Sequence, residues 1–91
     1  FAEVVDTLMP VRTQFRRIGG SHAQRDLFDQ LLIDAAWRGR RLDTASGLLA
    51  ERTTRRPRNI WGWKHYAEVL EARGAPSAAE ARGALDALRG Q

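Results

Sequence analysis

Shifted by 34 positions, the chain falls on residues of like kind: Leu32 on Tyr66, Ile33 on Ala67, Ala36 on Leu70 and Ala45 on Ala79. One period earlier, Val11 falls on Ala45 and Phe15 on Leu49. A repeat of that length has room for two helices and their turns, and no single unit of that size can bury its own apolar side. The chain is therefore expected to stack such units.

Spacing within the period is helical. Val4, Leu8, Val11, Phe15 and Ile18 follow one another at steps of four and three, which places them on one stripe of a first helix over about 2–17. Pro10, which lacks an N–H, predicts a kink or a fresh start near Met9. Gly19 and Gly20 end that helix. Ser21 with Gln24 forms a capping box ahead of Leu27, Phe28, Leu31, Leu32, Ala35 and Ala36, and the second helix runs over about 22–38 until Gly39 breaks it. Leu42, Ala45, Leu48 and Leu49 carry a third helix over 42–55, closed by Pro57. Asn59 caps a fourth over 59–73 with Ile60, Trp63, Tyr66, Ala67 and Leu70, ended at Gly74-Ala75-Pro76. Ser77 with Glu80 is a second capping box, opening a fifth helix over 77–89 whose inward residues are Ala78, Ala81, Leu85 and Leu88. Nowhere do apolar residues alternate with period two. The fold class is all-α, one domain over 1–91 of about five helices, its short connections forcing successive helices into antiparallel hairpins.

A period of 34 with a bulky residue, a large and small pair on the first helix and a small residue on the second resembles the tetratricopeptide repeat. Trp63, Tyr66, Ala67 and Leu70, with Gly74 at the turn and Ala79 at the close helix contact, stand at those positions, and Ala45, Leu49 and Pro57 belong to the unit before. Asp29 stands where the pattern has Trp, Ile33 where it has a small residue and Gly83 where it has an aromatic. The run Ile18-Gly19-Gly20-Ser21-His22-Ala23-Gln24-Arg25-Asp26, with Leu48-Leu49-Ala50-Glu51-Arg52 and Pro57 after it, resembles the C-terminal part of a tetratricopeptide-repeat family found in bacteria and animals. The resemblance spans about residues 8–60 and implies a solenoid of stacked helix pairs with no reaction attached. It also implies about two repeats and the trailing helix of a third, cut from a longer protein. A plain five-helix bundle with a fortuitous offset match is the alternative.

Composition narrows the chemistry. There is no cysteine, which excludes disulfides, thiolate-bound zinc and thiol nucleophiles, and only His22 and His65 supply imidazole. No cofactor and no metal are expected. No apolar run is long enough to span a membrane, and the chain is expected to be cytoplasmic and bacterial. Net charge is +4, and the only lysine is Lys64. The abundance of Arg and Ala fits a GC-rich genome, so position says more than the total. Arg38, Arg40, Arg41, Arg52, Arg55, Arg56 and Arg58 face only Asp43 and Glu51 over residues 38–58. The excess sits in that segment.

Three constellations could bind something. Free amides around Gly19-Gly20, with Ser21, His22 and Arg25, could hold an anion or a peptide carboxylate, though Ser21 and Gln24 serve two amides themselves and Arg25 can pair with Asp26 or Asp29. His22 and Asp26 share a helical face, but nothing places a nucleophile beside them. Trp61, with Arg55, Arg56 and Arg58 before it, could stack on a peptide or a nucleobase, while Trp63 and Tyr66 are expected to pack inside. The arginine segment suits phosphate, and equally suits the dipole at the end of the third helix.

The expected function is a non-catalytic interaction or scaffold module that binds a peptide or partner protein on its concave face. That face would be lined by first helices of the repeats: Asp26, Asp29, Gln30 and Asp34 on one, Trp61, Lys64, His65 and Glu68 on the other. Helix one would leave a side open for more chain or a second copy. A basic helical repeat that binds nucleic acid through 38–58 is the alternative, and an enzyme built on the turn before His22 a distant third.

Overall fold

The computed structural model describes the backbone of residues 2–17 and 22–90, and the side chains of 2–12 and 25–90. Five helices and no strand occur among them: α1 (Ala2–Arg17), α2 (His22–Arg38), α3 (Leu42–Arg55), α4 (Ile60–Arg73) and α5 (Ala78–Arg89). The chain divides into two compact units, 1–41 and 42–91. Helices two and three, expected as one hairpin, fall in different units.

In the first unit α1 packs on α2. Arg12 Nε lies 2.9 Å from Asp29 Oδ1, and Arg41 Nη2 lies 2.6 Å from Asp6 Oδ2, so the two helices run antiparallel. Val5, Leu32, Ile33, Ala35 and Ala36 are buried. The stripe expected on α1 is not the buried one: Val4 and Val11 are each 44% exposed. Asp29 is the reason. A buried carboxylate left unpaired costs several kcal/mol, against roughly 1 kcal/mol for leaving a valine half in water. The rotation that brings Arg12 to Asp29 also turns Val5 inward and Val4 and Val11 out. Nor does α1 restart at Pro10, which lies on the exposed side where water can serve the carbonyl its missing N–H leaves. The stop at Gly19-Gly20 and the box of Ser21 with Gln24 lie outside the described residues, as do the side chains of Phe15 and Ile18.

α2 ends at Arg38 as expected, but Gly39 is not the residue that turns the chain. Gly39 continues the helical bonding, its N–H donating to the Ala35 carbonyl at 2.9 Å. The left-handed residue is Arg40, at φ 60°. Its N–H donates to Trp37 O at 3.2 Å, and that of Arg41 to Ala36 O at 2.8 Å. These two bonds occupy carbonyls that the helix end would otherwise leave without donors.

In the second unit α3 packs on α4 and α4 on α5. Each end of the α3 and α4 pair is tied. Arg73, closing α4, reaches Ser46 Oγ at 2.9 Å and Asp43 Oδ1 at 3.2 Å at the start of α3. Arg52, near the end of α3, meets the start of α4. Asn59 caps α4 from an extended backbone (φ −82°, ψ 106°), accepting from the Gly62 N–H at 2.7 Å. Gly74 closes it at φ 68°, donating to Glu71 O at 3.1 Å while Ala75 donates to Leu70 O at 2.9 Å. Trp63, Tyr66, Ala75 and Ala78 are partly buried around the core of Ala67, Leu70 and Ala81.

The capping box of Ser77 with Glu80 does not form. Ser77 has helical backbone angles (φ −68°, ψ −7°) and its hydroxyl makes no cap bond. The chain has already begun to coil at Pro76, with Ala78 N–H donating to Ala75 O at 3.1 Å, so Ser77 lies a residue too deep to cap. Those added residues also move the face of α5. One residue separates the left-handed Arg40 from α3, but three separate Gly74 from α5. Buried Ala45 and Leu49 therefore recur as Ala81 and Leu85, 36 positions on, and not as Ala79 and Gly83, both of which are exposed. Ala79, expected at the close helix contact, lies on the exposed side of α5.

Candidate functional site

Residues 34 apart on α2 and α4 bear comparison, since each helix is the one that ends in a left-handed cap. Ile33 and Ala67 are buried, as are Ala36 and Leu70. On the outward side Leu27 and Leu31 of α2 occupy the positions of Trp61 and His65 on α4, and Asp34 that of Glu68. Leu27 and Leu31 are each 58% exposed, although both belong to the apolar run of that helix. Asp34 is exposed and paired with Arg38 at 3.1 Å. Each of these two helices thus carries two apolar or aromatic side chains followed by a carboxylate on the face turned from its own core.

On α4 the outward residues form a connected set. The Arg52 guanidinium carbon stands 4.8 Å from the Trp61 ring centre, and the His65 ring centre is 4.3 Å from that of Trp61, tilted by 49°. His65 Nδ1 is 3.7 Å from Glu68 Oε2. Arg52 Nε also donates to Asn59 Oδ1 at 3.4 Å. Trp61 is accordingly half-buried, engaged by a cation and an imidazole, and does not offer an open ring for stacking. Trp63 turns the other way and donates from Nε1 to Pro57 O at 2.7 Å, with Tyr66 at 6.1 Å.

Several expected site residues are placed elsewhere. Asp29 is buried and paired with Arg12, so it lines no binding face. Arg52 is only 3% exposed, so it cannot belong to a phosphate-binding patch. Its position was legible in spacing, because Ala45, Leu49 and Arg52 follow at steps of four and three, on the buried row of α3. Arg38, Arg41 and Arg55 each face a carboxylate, of Asp34, Asp6 and Glu51 respectively. The seven arginines are also divided between the two units, Arg38, Arg40 and Arg41 in the first and the rest in the second. Asp26 accepts from Gln30 Nε2 at 3.3 Å, Arg25 is half-buried with partners of its own, and Lys64 is exposed. The anion site around Gly19, Gly20 and Ser21, and the side chain of His22, lie outside the described residues. Among the described residues no group of His, Asp and Glu could hold a metal ion, and no helix is long and apolar enough to cross a membrane.

No family model matches the chain, and no solved structure matches it.

Proposed function

We propose that the chain is a tetratricopeptide-like interaction module, without catalysis of its own, in which an outward helix face, that of α2 in the first unit or that of α4 in the second, engages a peptide or partner protein. The observation that carries this is the recurrence at 34 residues of a whole helix ending: Arg40 and Gly74 take the same left-handed turn, with the same pair of backbone bonds back into the helix. Repeats of this kind keep their cores for packing and leave first-helix faces for ligands. Leu27 and Leu31 support it, as two large apolar side chains held in water one helical turn apart on a face turned from the core. In this reading the module serves as a scaffold in the cytoplasm.

Selection of displayed peptides on the chain, followed by amide chemical-shift mapping, tests it. Shifts concentrated on 27–34 or on 61–68 are expected. Enriched peptides that map to α3 and α5, or a selection that enriches none, would overturn it.

A further inference from the structure

We infer that the N-terminal corner of α4 takes an acidic peptide segment bearing aliphatic side chains; this names a partner class for the module proposed above and rests on that reading. Arg58 and Lys64 are exposed and have no ion-pair partner among the described residues. Between them in sequence stands Ile60, 44% exposed, and Ile60 and Lys64 are one helical turn apart on the same side of α4. Arg56 is exposed in the same connection but already has a partner. The positive end of the α4 dipole adds to these charges.

Four of the six carboxylates of the second unit lie against other groups. Glu51 faces Arg55, Asp43 faces Arg73, Glu71 faces Arg82 and Glu68 lies by His65. An exposed aliphatic side chain beside Arg58 and Lys64, two exposed cations without an ion pair, is complementary to a segment that mixes carboxylates with leucine or valine. A single-stranded nucleic acid would present as much negative charge, but it gains from stacking its bases on an open aromatic face and makes little use of an aliphatic side chain. Trp61 already holds Arg52 and His65, and Ile60 offers no such face. The chemistry at this corner favours the peptide.

Fluorescence anisotropy of a labelled, glutamate-rich, leucine-containing peptide titrated with the whole chain tests the assignment, with the lysine-for-glutamate version and an oligothymidylate as comparisons. The acidic peptide should bind weakly and lose affinity as salt rises, and its Kd should rise roughly tenfold in the Arg58→Glu/Lys64→Glu double variant. Ile60→Ser should weaken it several-fold, and circular dichroism should show each variant still helical. An acidic peptide that binds the double variant unchanged, or none of it binding the native chain, overturns the inference. Tighter binding of the oligothymidylate, lost in the same variants, assigns the corner to nucleic acid instead. Selected peptides that still shift 27–34 while the acidic peptide fails leave the module standing and remove only this partner.

Discussion

Arg40 and Gly74 stand 34 residues apart and close their helices in one conformation, at φ 60° and φ 68°. Only glycine reaches that region without steric cost, because Cβ crowds the carbonyl in any other L-residue by roughly 1 kcal/mol or more. Arg40 holds it because the two backbone bonds behind it satisfy Trp37 and Ala36, and because Gly39 lies one position too early to serve.

Arg40→Gly is therefore expected to stabilise the chain by about 0.5–1 kcal/mol, the released strain exceeding the added freedom of the unfolded chain. Gly74→Ala should destabilise it by about 1 kcal/mol, entirely through backbone angle, since a Cβ there would meet nothing within 4 Å. Urea unfolding followed by circular dichroism measures both. Equal effects of like sign at the two positions would refute the shared cap.

Arg12 and Asp29 are nearly enclosed, their side chains 13% and 10% exposed. Removing one leaves the other a charge without its partner across the helix interface, so Asp29→Ala should cost about 3 kcal/mol, and the Arg12→Met/Asp29→Leu double variant should recover most or all of that loss. Thermal melts of the two singles and the double check it. A double variant as unstable as the sum of the singles would show that the pair does not set the rotation of α1.

Arg52→Ala should cost about 2 kcal/mol, much of it lost packing of the aliphatic stem and the guanidinium against Trp61. Trp61 would then be more exposed to water. A red shift of tryptophan emission in the folded variant is the readout, and native-like emission with native stability would contradict the contact.

Helix positions were legible in the chain because stripes of apolar residues and Asn59, Gly74 and Pro57 act locally, within a turn or two. Orientation was less so. Which side of α1 faces α2 is decided by Asp29 needing Arg12, seventeen positions away, and no local pattern carries that demand. The face of α5 turned on Pro76 and Ser77, which look like a cap and act as added coil. Arg52 was counted as surface charge because its type was weighed before its row. Leu27 and Leu31 belong to the same apolar run as Leu32 and Ala36, yet lie opposite them on α2. Trp61 carried a signal of both kinds, and only its neighbours Arg52 and His65 decide between stacking platform and packed ring.

Leu27 and Leu31 give the most direct check of function. Each is more than half in water, so replacing either with glutamate removes little buried surface and should change stability by no more than about 0.5 kcal/mol. If their face receives a ligand, the same change places a charge where an apolar side chain of the partner must sit, and desolvating it without a counterion raises Kd roughly tenfold or more. Isothermal titration with a peptide selected on the native chain separates the two effects. The Leu27→Glu and Leu31→Glu variants should melt with the native chain and bind the peptide at least tenfold more weakly, about 1.4 kcal/mol. Variants that melt early would place the leucines in a core, and variants that melt and bind as the native chain does would move the ligand off α2.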